Sequence, residues 1–87
     1  MRTEGARKFS RFRKRNRVSY THAATALRVS RPAIYSWEDG SKLPDADARD
    51  RIAVWTSGEV LPEMWRTSQA ARVLAEVRPF AEEEVTV

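Results

Sequence analysis

Residues 18–44, VSYTHAATALRVSRPAIYSWEDGSKLP, hold the pattern that organises the rest of the chain. Ser19 stands where a helix N-cap belongs, and Ala23, Ala24 and Leu27 behind it give about two turns of helix with one small apolar side. Ser30 is a second N-cap. Pro32 follows it in the first turn, where amides have no intrahelical partner and proline is tolerated. Ile34 and Trp37, three apart, make the buried side of this second helix, and Gly40 supplies a left-handed stop before the loop Ser41–Pro44. Two short helices, over residues 20–27 and 31–39, are thus joined by a turn of three residues. That is the pattern of a helix-turn-helix.

Such a unit needs a small residue in the first helix where the axes approach. It also needs a branched apolar residue to fill the corner. Ala24 and, ten positions later, Ile34 meet these needs, with Leu27, Val29 and Trp37 completing an apolar seam. The outward side of the second helix then reads Ser30, Arg31, Pro32, Ala33, Tyr35, Ser36, with no large aliphatic stripe. A helix of this kind suits the DNA major groove, where its N-terminal residues meet base edges.

Outward from this centre, residues 1–5 carry no apolar period and read as a mobile basic arm. Residues 6–17 place Ala6, Phe9 and Phe12 on one narrow stripe of an otherwise basic helix. A fourth helix is expected from Pro44–Asp45 to Ser57–Gly58, with Asp45 and Asp47 favourable at its positive end. Pro62 opens a further helical piece with Met64 and Trp65. Residues 67–78 put Ala70, Val73, Leu74 and Val77 on one face. This last helix either closes the core or forms a dimer contact, for which Met64, Trp65, Val73, Leu74 and Val77 are the candidates. Residues 79–87 form an acidic tail. The fold class is all-α: a bundle of four to five short helices around a helix-turn-helix spanning residues 6–66.

The chain has 87 residues, enough for one small domain with a single core. With 41% apolar and 32% charged residues it is neither disordered nor membrane-spanning in composition. Lacking cysteine, it has no disulfide or thiolate chemistry, and its one histidine makes a metal site a poor reading. No nucleophile, base and orienting group converge at a readable spacing, so neither enzymatic activity nor a cofactor is expected. The net charge of +4 is uneven: residues 1–17 hold eight Lys/Arg against one Glu, and residues 78–87 sum to −2. Concentrated positive charge implies a polyanionic partner.

The same residues carry a family resemblance. Val18, Ser19, Ala24, Leu27, Val29, Ser30, Ile34, Trp37, Glu38, Gly40 and Pro44 stand as in the Cro/cI-type (XRE-type) helix-turn-helix of phage and bacterial regulators, a lambda-repressor-like domain. Phe9, Phe12 and Arg13 fit its first helix, and residues 51–65, RIAVWTSGEVLPEMW, are similar to the segment following its fourth. Three positions depart from the pattern: Arg28 replaces the turn glycine, Tyr20 replaces the glutamine opening helix two, and Ala23 replaces a larger apolar residue. The resemblance implies a cytoplasmic, nucleoid-associated regulator that binds double-stranded DNA as a homodimer on a pseudo-palindromic operator. It implies phosphate contacts at Ser19, Tyr20, Ser41 and Lys42, with Arg17, Arg28 and Ser30 counted beside them. It also implies an internal ion pair between Arg13 and Glu38.

Arg31 is the leading base reader, since an arginine in the first turn can grip guanine O6 and N7; a phosphate contact is its alternative. Tyr35 is expected to meet a thymine methyl or the backbone, or else to be ordinary surface. Pro32 offers only apolar contact, and Ser36 faces the same groove. Two other readings remain: an antitoxin whose C-terminal part binds a protein partner, and a protein-interaction module on the same scaffold. The positive charge of residues 1–44 argues against mimicry of DNA.

Overall fold

A computed structural model describes residues 2–81. It is all-α. Five helices run in order α1 (Glu4–Arg15), α2 (Tyr20–Leu27), α3 (Arg31–Asp39), α4 (Ala46–Trp55) and α5 (Ser68–Glu76), with a single 3₁₀ turn, Pro62–Trp65, before α5. Among the described residues there is no strand, and no helix is long and apolar enough to cross a membrane.

Each α-helix begins with a side-chain cap. Thr3, Ser19, Ser30, Asp45 and Thr67 accept from the amides of Ala6, His22, Ala33, Ala48 and Ala70. Such caps satisfy donors that a helix start leaves free and are each worth about 1 kcal/mol. Gly40, at φ 84°, ends α3 in the left-handed conformation.

The beginning of the chain corrects the expected arm. α1 starts at Glu4, inside the expected arm, and ends at Arg15 rather than residue 17. Two contacts explain the early start. Thr3 caps it, and Gly5 lies so close to the Trp65 indole that a Cβ there would come within 2.6 Å of the ring. Arg2 is also tied down, its Nη1 donating to the Glu38 carbonyl at 3.1 Å.

The core joins α1, α2, α3, α4 and the 3₁₀ turn through Ala6, Phe9, Ala23, Ala24, Leu27, Ile34, Trp37, Ala48, Ile52, Val60 and Trp65. Phe9 is its centre, with ring centroids 6.3, 6.3 and 6.1 Å from Trp37, Trp55 and Trp65. Trp65 was expected among the dimer contacts. It is fully buried, so it belongs to the core and not to any contact surface. Ala23 is fully buried in this core, and at its margin the Trp55 ring sits 5.3 Å from Phe12 and 6.5 Å from His22, centroid to centroid. α5 buries no residue, and Val73, Leu74 and Val77 are all more than half exposed. The last helix therefore does not close the core. Of the expected acidic tail, residues 82–87 lie outside the described residues.

Candidate nucleic-acid interface

α2 and α3 are joined by residues 28–30 and pack on each other through Ala24, Leu27 and Ile34. The turn is made by Arg28 at φ 58°, ψ 46°. Its left-handed conformation lets the amides of Arg28 and Val29 bond back to Thr25 and Ala24. The position thus keeps the geometry a glycine would adopt, although a Cβ makes that geometry unfavourable. Arg51, on α4, closes the same end by donating from Nε to the Leu27 carbonyl at 2.9 Å. Nothing in the local sequence pattern announces that bond, because it spans 24 residues.

α3 turns Ile34, Trp37 and Glu38 inward, which leaves Arg31, Pro32 and Tyr35 exposed on its other side. Ser36 is only half exposed. Its carbonyl accepts from the Lys42 amide at 3.2 Å, so it sits where the following loop folds back on the helix. Ser41 and Lys42 are exposed in that loop. The Ser41 hydroxyl, together with its amide 2.7 Å from Oδ1, holds the Asp39 carboxyl below its ordinary range. Ser19 and Ser30 are exposed at the starts of α2 and α3. Their oxygens accept from capped amides, which leaves each hydroxyl hydrogen free to donate outward. Arg17 and Arg28 are exposed at the two turns that flank α2, and half-buried Tyr20 opens that helix.

Behind this surface lies a buried ion pair. Arg13 Nε is 2.6 Å from Glu38 Oε2, and Nη2 is 3.1 Å from Oε1. Nη1 donates to the Val18 carbonyl at 3.2 Å. Hydrogen bonding to Glu38 raises the Arg13 pKa, against a lowering by burial. One guanidinium so binds α1 to the end of α3 and to the strap entering α2. On the far side of Arg13, its Cζ stands 3.9 Å from the centre of the Tyr20 ring.

The other cations of α1 pair with carboxylates, line a surface groove, or, for Arg15, do both. Lys8 and Arg15 face the carboxylates of Glu4 (3.4 Å) and Glu59 (2.6 Å), in exposed pairs that add little stability. Arg7, Arg11, Lys14 and Arg15 line a surface groove with Arg2 and Ser10. No group of His, Asp or Glu side chains among the described residues is arranged to hold a metal ion. No family model, no curated protein and no solved structure matches this chain.

Proposed function

We propose that this chain is a sequence-specific, double-stranded DNA-binding transcriptional regulator of the helix-turn-helix type, acting as a repressor by occupancy of a pseudo-palindromic operator. One observation carries the reading. The N-terminal half of α3 exposes Arg31, Pro32 and Tyr35 together, while its opposite side is locked by Ile34, Trp37 and the Arg13–Glu38 pair. A rigid helix with a polar outer face and exposed donors beside it suits the major groove. In this reading Ser19, Tyr20, Arg28, Ser30, Ser41 and Lys42, with Arg17, are the residues that meet phosphates. Positive charge in residues 1–44 favours the approach of a polyanion.

A single short reading helix gives weak discrimination, and two copies about 34 Å apart on the duplex supply the rest. The exposed stripe of Val73, Leu74 and Val77 is the face we assign to the second copy, with the half-exposed Met64 near its root. The same stripe also suits a different protein partner, as the antitoxin reading requires.

The test is selection of bound duplexes from a random pool at physiological salt. A two-fold symmetric site supports the dimeric regulator. A short asymmetric site retains the regulator without the symmetric dimer, and no enrichment overturns sequence-specific binding. On the selected site, Arg31→Ala is expected to cost about 1–3 kcal/mol and to relax preference at one base pair. Loss spread evenly over all sequences would make Arg31 a phosphate contact.

A further inference from the structure

The reading face is coupled to the buried ion pair by an unbroken series of side chains, and Tyr20 is its middle member. Glu38 holds Arg13 through both carboxylate oxygens. The Arg13 guanidinium stands against one side of Tyr20. Tyr20 in turn meets the ring of Tyr35, with centroids 4.3 Å apart and planes at 49°. The Tyr35 hydroxyl accepts from Arg31 Nη2 at 2.9 Å. Three elements contribute: α1 gives Arg13, α2 gives Tyr20, and α3 gives Glu38 at one end and Arg31 and Tyr35 at the other.

An exposed arginine ordinarily samples many rotamers, which it must give up to grip one base. Here one N–H of Arg31 is already engaged by Tyr35. A guanidinium has five such donors in a planar fork, so enough remain for a bidentate contact with guanine O6 and N7. Tyr35 is itself 40% exposed, and alone it would be a poor anchor. Its partner Tyr20 is half-buried and gripped by a guanidinium that is almost wholly out of solvent. Order therefore passes outward from the core to the reading tip.

We infer that Tyr20 is the positioning residue of the reading face, setting through Tyr35 the direction in which Arg31 presents its guanidinium to a base pair. The inference rests on the DNA-binding reading and deepens it: Tyr20 governs discrimination at one base pair it does not itself touch. A phosphate contact from the Tyr20 hydroxyl is a separate property, and substitution separates the two. Tyr20→Phe keeps the ring between Arg13 and Tyr35 but loses the hydroxyl. Tyr20→Leu loses both.

The experiment measures affinity for the selected site and for the same site changed at the base pair where Arg31→Ala relaxes preference. Wild type is expected to discriminate there by about tenfold or more. Tyr20→Phe should keep that ratio even if its affinity falls for every duplex. Tyr20→Leu should bring the ratio to within about twofold of Arg31→Ala while preferences at other base pairs persist. A second measurement needs no DNA: the Arg31 Nε–H order parameter in the free protein should fall in Tyr20→Leu and in Tyr35→Phe. Tyr35→Phe reports only the Arg31–Tyr35 bond, and Tyr20→Met, closer to tyrosine in length, replaces Tyr20→Leu if that variant does not fold. An unchanged ratio and an unchanged order parameter in a folded Tyr20→Leu would overturn the inference and leave DNA binding standing. A wild-type chain with no base preference anywhere would overturn both.

Discussion

Arg28 and Glu38 are single residues whose energetic roles run in opposite directions. Arg28 occupies a left-handed turn between α2 and α3 with a Cβ attached, at φ 58°. Glycine reaches that conformation without the steric cost, so Arg28→Gly should raise stability by about 1 kcal/mol, read as a higher midpoint in thermal unfolding. The same substitution removes one cation beside the reading face, and its stability and DNA affinity should therefore move in opposite senses. Glu38 is the reverse case. Its carboxylate is the only carboxylate paired with Arg13 among the described residues, and both groups are less than a tenth exposed. Glu38→Ala leaves a buried guanidinium without a counter-charge, which is expected to cost about 3 kcal/mol and to lower the unfolding midpoint well before DNA is added. An unchanged midpoint would reduce the pair to surface decoration.

At the scale of elements, capping and periodicity made most of the helices legible, and α5 shows where that legibility stops. Ser19, Ser30 and Gly40 mark ends by chemistry that is local, so α2 and α3 were readable to the residue. The start of α1 was not, because it depends on Gly5 meeting Trp65, sixty positions away. The links Tyr20–Tyr35 and Arg51–Leu27 were hidden for the same reason: they join positions with no shared period. Arg31 and Tyr35, one turn apart on α3, did carry a signal in their i, i+4 spacing. For α5, an amphipathic stripe announced that something covers Val73, Leu74 and Val77 without saying whether it is the chain's own core. The core leaves α5 uncovered. If a second copy covers it, the unfolding midpoint should rise with protein concentration, since association favours the folded state. Leu74→Asp should abolish that concentration dependence and yield a monomer in sedimentation, while the unfolding midpoint at high dilution stays that of wild type. A midpoint of wild type independent of concentration would remove α5 as the dimer face and favour a different partner.

Across the whole molecule, the number of positive charges overstates the number that can meet one duplex. Residues 1–17 hold eight of the sixteen Lys/Arg. Arg13 is buried against Glu38, and Lys8 and Arg15 face Glu4 and Glu59. Arg7, Arg11 and Lys14 line the α1 groove with Arg2, and a helix radiates its side chains, so they cannot all reach the duplex that α3 meets. On the proposed reading the cations that meet phosphates are Arg17, Arg28 and Lys42, while Ser19, Tyr20, Ser30 and Ser41 would donate hydrogen bonds without displacing counterions. Each neutralised phosphate adds about −0.9 to the slope of log affinity against log salt. Three such cations per protomer give a dimer a slope of about −5, whereas full engagement of the basic helix would give one of roughly −10 or steeper. Lys42→Ala should lower the steepness by about one per protomer and leave base preference intact. Arg11→Ala should leave the slope nearly unchanged and slow association at low salt, because its charge acts through the long-range field. A slope near −10 that relaxes equally with Arg11→Ala and Lys42→Ala would instead place α1 itself against the phosphates, and would move the DNA-facing surface from the α2–α3 unit toward the groove lined by Arg2, Arg7 and Lys14.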